Sequence, residues 1–95
     1  MKLRYTPRGA AELDQVLGYI ETRSPQGALH VKRRIQVIMD LLLRHPHAGQ
    51  LTSKNRLRRM VVSPYPYVVF YHATEDEIVI HGVRHSARNP LTAPE

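Results

Sequence analysis

The stretch "LRRMVVSPYPYVVFYHATEDEIVIHGVR", residues 57–84, decides the fold. Apolar residues recur here at a spacing of two rather than 3.6, the periodicity of strands. It divides into "LRRMVV" (57–62), "YVVFYHA" (67–73) and "EIVIHGVR" (77–84). Ser63-Pro64-Tyr65-Pro66 supplies a proline-rich turn between the first two, and the polar "TEDE" a hairpin loop between the last two. Two consecutive hairpins predict an antiparallel sheet. The middle segment is apolar on both faces, which predicts a central strand with helices covering one side.

Upstream the pattern becomes helical. "KLRYT" (2–6) reads as a short strand, after which Thr6 can cap a helix whose first turn holds Pro7. Ala10, Leu13, Val16, Leu17 and Ile20 then form one apolar stripe. "RSPQG" interrupts it, with Ser24 as a second N-cap and Pro25 as the next first helical residue. Ala28, Val31, Ile35, Ile38, Met39 and Leu42 line one side of that second helix; Lys32, Arg33, Gln36 and Asp40 line the other. Pro46 and Gly49 in "RHPHAG" end it, and "LTSKNR" reads as a polar loop. The short connection predicts an antiparallel helical hairpin. The expectation is one α+β domain over residues 1–95, of order β-α-α-β-β-β, with the hairpin on a mainly antiparallel sheet. Nothing in the pattern places the first strand within the sheet.

Composition narrows the functional classes. The chain has 95 residues and no cysteine, so disulfides and thiolate metal sites are excluded. The N-terminus lacks the apolar core of a signal peptide, and no run reaches the roughly 20 apolar residues of a membrane span. A cytoplasmic protein with no membrane partner is expected. Fourteen Lys+Arg against eight Asp+Glu give a net charge of +6, with arginine in large excess over lysine. That balance favours a polyanionic partner, nucleic acid or acidic protein, since the guanidinium fork suits phosphate and carboxylate. A basic surface with no specific target is the plain alternative.

Four segments in this order, "LRYTPRGAAELDQVLGYI", "LLLRHPHAGQ", "LRRMVVSPYPYVVFY" and "VRHSARNP", resemble the RelE/ParE superfamily of toxins from type II toxin–antitoxin modules. The resemblance covers nearly the whole chain and implies the same β-α-α-β-β-β architecture. It implies roles in growth inhibition and plasmid stabilization, and a cognate antitoxin, expected to be acidic, that wraps the toxin with a helix and an extended tail. Within the superfamily, ParE-like members act on DNA gyrase, whereas RelE-like members cut mRNA, usually on the ribosome. The closing "RHSARNP" is closer to ParE-like members. RelE-like nucleases often carry an arginine early in the middle strand, about where Tyr67-Val68 stands, and many carry a C-terminal aromatic, which residues 86–95 lack. A gyrase-directed toxin is therefore expected, with a metal-independent endoribonuclease as the alternative; no cofactor is expected in either case.

RNA cleavage without a metal needs a base, an acid and cations for the phosphorane charge. The candidates are Arg84, His85, Arg58, Arg59 and Tyr67, with Arg84 at the position where the resemblance places a phosphate-binding arginine. For contact with an anionic target the candidates are Lys54, Arg56, Arg58, Arg84 and Arg88. The local pattern gives no packing reason for Arg84 and His85 to end the most hydrophobic strand, so a cationic rim is expected there. Arg58 and Arg59 are strand neighbours and point to opposite faces, so at least one can be a solvated or edge-protecting charge. Tyr65, Tyr67 and Tyr71 can stack on bases or simply fill the core. His81 and His85 fall on one face at strand spacing, and His45 and His47 flank Pro46, but no carboxylate or cysteine joins either pair, so no metal site is expected.

Overall fold

Thr6 and Ser24 start the two helices as their contexts predict. Thr6 Oγ1 accepts from Gly9 N–H at 2.9 Å and Ser24 Oγ from Gly27 N–H at 3.0 Å. Each hydroxyl thus satisfies one donor that lacks a partner within its helix, and proline occupies the next position, where no donor is needed. The computed structural model describes residues 1–87. Its elements are β1 (Lys2–Tyr5), α1 (Pro7–Glu21), α2 (Pro25–Arg44), β2 (Gln50–Leu51), β3 (Arg58–Val61), β4 (Tyr67–Ala73) and β5 (Glu77–His85).

The strands form one sheet in the order β1-β5-β4-β3-β2. All neighbours are antiparallel except β1 and β5, which are parallel with Leu3 opposite Ile78 and Tyr5 opposite Ile80. This register places apolar residues of both strands in the core under the helices. β4 is central, as its apolar character on both faces predicts. Tyr67, Val69 and Tyr71 join α2 residues Val31, Ile35, Ile38, Met39 and Leu42 in the main core. On the opposite face Val68 and Phe70 pack with Leu57 in a smaller cluster. The fold class is therefore the expected α+β arrangement of two helices on a mostly antiparallel sheet.

Two features depart from expectation. Gln50–Leu51, the first residues after the helix terminator, form a short edge strand against Arg58 and Arg59. Two residues are too few to display a period of two. In addition, β4 and β5 slip register: Phe70 faces Gly82 and Tyr71 faces Ile80, leaving His81 as the extra residue of a β-bulge. Gly9 also has a packing reason, because a Cβ there would lie 2.4 Å from the Ile80 carbonyl oxygen. Only glycine lets α1 approach β5 so closely.

Candidate functional site

The strand end that carries Arg84 and His85 is built by α1. β1 covers β5 only as far as Ile80, so the edge beyond it lacks a strand neighbour. Glu12 of α1 stands in for one: its Oε1 accepts from Val83 N–H at 3.1 Å. The same oxygen lies 3.4 Å from Arg84 Nε. Arg84 is only 8% exposed and Glu12 17%, so this is a largely buried ion pair. The expectation that packing gives Arg84 no role is thus corrected. The chain folds this guanidinium inward onto an α1 carboxylate 72 positions away in sequence, instead of displaying it on a rim.

His85 sits opposite Tyr67, and their rings meet edge to face with centroids 5.3 Å apart. His85 Nδ1 accepts from Ala87 N–H at 3.1 Å. A neutral imidazole that accepts at Nδ1 carries its proton on Nε2. Its lone pair is therefore engaged by its own backbone in the free protein. The chain just beyond is pinned by Ser86, whose N–H donates to Pro66 O at 2.8 Å. Arg88 lies outside the described residues.

Arg58 belongs to the other end of the sheet. It faces Tyr71, four residues along β4 from Tyr67 and so about 13 Å away at strand rise. Arg58 Nη1 donates to Gly49 O at 2.7 Å and His47 O at 3.2 Å. Tyr71 Oη accepts from Gly49 N–H and donates to Pro46 O, both at 2.8 Å. Together they clamp the segment that leaves α2. Burial pushes the Tyr71 hydroxyl above its ordinary pKa, opposed by the Gly49 hydrogen bond and by Arg58. Arg59 faces Phe70, on the sheet face away from the helices, as alternation predicts. Tyr67 and Tyr71 are core residues. The candidates thus fall into two groups: Arg84, His85 and Tyr67 at one end, Arg58 and Arg59 toward the other.

Lys54 and Arg56 project from the exposed loop before β3. Asn55 and Arg56 take positive φ angles of 35° and 60°, an unusual conformation outside glycine. The loop is tied down by buried Leu57 and by His72 Nε2, 2.9 Å from Asn55 O. His72 Nδ1 in turn lies 2.8 Å from His81 Nε2. Sequence spacing misses this pair, since the bulge carries His81 to the side of His72. His85 faces Tyr67 on the core side instead, so His81 and His85 do not share a face as simple alternation predicts. Burial, then His72, then Arg4 lower the His81 pKa below its ordinary value of 6.5.

A further surface had no sequence signal. A groove of about 600 Å³ runs between α2 and the β3–β4 turn, lined by His30, Arg33, Arg34, Val37, Pro64 and Tyr65. Arg34 Nε bridges it by donating to Ser63 O at 2.7 Å. Beside it β2 covers only Arg58 and Arg59, and Val61 remains 45% exposed.

Comparison with known proteins agrees over most of the chain. The profile of the ParE toxin of type II toxin–antitoxin systems (parDE) matches residues 3–90. A protein of Caulobacter vibrioides named toxin RelE2 is 34% identical over 84 residues, covering 88% of this chain and 93% of its own. The toxin candidate Y4kP of Sinorhizobium fredii is 31% identical over 75 residues, covering 79% and 78%. A solved chain from the chromosomal ParDE toxin–antitoxin system of P. aeruginosa superposes with a TM-score of 0.76 at 22% identity. That match spans 90% of this chain and 95% of the other, and likens the fold.

Proposed function

From the premise that the chain belongs to the ParE toxin family of type II toxin–antitoxin systems, we propose that it arrests growth by acting on DNA gyrase and is silenced by an acidic antitoxin. The observation that supports this choice of target is that the cation and base candidates are engaged within the chain, with Arg58 toward the opposite end of the sheet from Arg84, His85 and Tyr67. Metal-free RNA cleavage requires a base, an acid and a cation converging on one phosphodiester. Here Arg84 is committed to Glu12, His85 Nδ1 to its own backbone, and Arg58 to the far end of the sheet. A protein that poisons an enzyme by binding needs no such convergence. Lys54 and Arg56 on the exposed loop then serve as target contacts, and their effect is salt-dependent.

A ribosome-dependent endoribonuclease is the second reading. It is favoured by the Tyr67–His85 contact beside Arg84 at the end of β5 and by the name of the Caulobacter relative. In that reading Arg84 and His85 bind and deprotonate the RNA.

The antitoxin is expected to place apolar and acidic side chains in the groove between α2 and the β3–β4 turn. Arg33, Arg34 and His30 supply positive charge there, and Val37 and Tyr65 supply apolar area. The outer edge of β3 at Met60 and Val61 then offers backbone groups for an added strand. Two assays run together decide the target: supercoiling by purified gyrase and translation-dependent mRNA cleavage. Inhibition of the first without the second supports this reading, and the converse outcome transfers the chain to the nuclease class.

A further inference from the structure

We propose that His72, braced by His81, is a positioning residue: it sets the conformation of the β2–β3 turn and so aims Lys54 and Arg56 at the toxin's target. The functional part of this inference rests on the reading above that these two residues touch the target. The conformational part stands without it.

The turn at residues 54–57 closes with Leu57 N–H donating to Lys54 O at 2.7 Å. Its central residues, Asn55 and Arg56, have φ angles of 35° and 60°. Two successive positive values mark a type I′ turn, the form that joins twisted strands through a two-residue loop. Asparagine suits the first central position, but the second is ordinarily glycine. Arg56 stands there with a Cβ that the left-handed region disfavours. The turn therefore holds a conformation that its own residues only half support.

An alternative that relieves Arg56 lies one peptide rotation away. Turning over the peptide between Asn55 and Arg56 converts type I′ into type II′, in which only the first central residue keeps a positive φ. The carbonyl of that peptide is Asn55 O, the atom that His72 Nε2 meets at 2.9 Å. A carbonyl only accepts, so His72 Nε2 carries the hydrogen. Rotation carries the carbonyl to the other side of the turn and breaks this bond. His72 thus favours the form in which Arg56 is strained.

His81 fixes the ring that makes the bond. Its Nε2 lies 2.8 Å from His72 Nδ1, and the two rings meet edge to face at 81°. In neutral His72, Nδ1 accepts from His81 and the proton stays on Nε2, where Asn55 O takes it. The β-bulge brings His81 beside His72. Leu57, buried with Val68 and Phe70, anchors the end of the turn on the same face. Support from the sheet therefore reaches the exposed Lys54 and Arg56 through one imidazole.

Nuclear magnetic resonance of His72→Phe and His72→Gln tests the conformational part, since carbon shifts and one-bond Cα–Hα couplings report the sign of φ at Asn55 and Arg56. His72→Phe keeps a ring and loses the donor; in His72→Gln the amide N–H replaces Nε2–H. Losing one such hydrogen bond should move the ratio of turn forms by about three- to tenfold in His72→Phe. His72→Gln should stay close to wild type, and signals of the turn at 63–66 should not move in either. His72→Ala takes the place of His72→Phe if circular dichroism shows the latter unfolded. Growth arrest on induced expression, at matched soluble levels, tests the functional part. It should weaken in His72→Phe and in a Lys54→Ala/Arg56→Ala protein, and persist in His72→Gln. Turn signals unmoved by loss of the imidazole would overturn the proposal. So would full arrest by His72→Phe beside a Lys54→Ala/Arg56→Ala protein that no longer arrests, an outcome that leaves the two cations as target contacts. Full arrest by the Lys54→Ala/Arg56→Ala protein removes that contact role itself, and the positioning role falls with it.

Discussion

Glu12 accepts from the Val83 backbone and faces the Arg84 guanidinium with one oxygen, so two elements depend on it. Glu12→Ala leaves Arg84 buried without its carboxylate and Val83 N–H without its acceptor. The expected loss is about 2–3 kcal/mol, less than a fully buried pair would cost because Glu12 retains some exposure. Glu12→Gln keeps an acceptor for Val83 and should cost less; urea denaturation of the two variants checks the order. It follows that Arg84→Ala probes folding as much as toxicity. His81 makes stability pH-dependent. Its folded pKa lies below the ordinary 6.5, so the unfolded chain binds more protons in the interval between the two values. The His81 contribution is therefore complete above the unfolded value and is lost as pH falls from there through the lowered folded value. Urea midpoints from about pH 7.5 down to about pH 5.5 should fall in the wild type and fall less steeply in His81→Gln. A steeper fall in the variant would contradict the assignment.

At the scale of elements, the hairpin and the three long strands were legible because each carries its own period and punctuation. Thr6-Pro7 and Ser24-Pro25 announced both helix starts, and Val68, Val69 and Phe70 announced a strand apolar on both faces. What escaped depends on contacts distant in sequence. The parallel seat of β1 beside β5 rests on a register of Leu3 and Tyr5 with Ile78 and Ile80, which no local pattern encodes. The inward turn of Arg84 rests on Glu12, and the His72–His81 pair rests on a one-residue bulge that reverses the expected facing. The candidate site suffered accordingly: its residue types were readable, but their partners were not. The groove on α2 yields a prediction at this scale. Val37→Glu places an acid on an exposed position amid Arg33 and Arg34, so the fold should survive while a partly acidic antitoxin segment is repelled. Weaker capture of the cognate antitoxin, with an unchanged melting temperature, is the expected outcome; undiminished capture places the antitoxin elsewhere.

Over the whole molecule, charge and catalysis point in different directions. Net charge of +6 suits an anionic partner of any kind, while Arg84, His85 Nδ1 and Arg58 are each engaged within the chain, the arrangement on which the proposed binding role rests. Among the described residues no helix is long and apolar enough to cross a membrane. His85→Gln separates the two readings cleanly, since glutamine retains hydrogen bonding but cannot relay a proton. In a nuclease the loss of such a group commonly costs about 10²–10⁴-fold in rate; in a gyrase poison no proton has to be transferred and the change should be mild. The decisive measurement is inhibition of gyrase supercoiling by purified wild type and His85→Gln, each with and without cognate antitoxin, beside ribosome-dependent mRNA cleavage by the same samples. The account predicts comparable gyrase inhibition by both proteins, relieved by antitoxin, and no cleavage. Active gyrase in the presence of wild type, together with mRNA cleavage that disappears in His85→Gln, would contradict it.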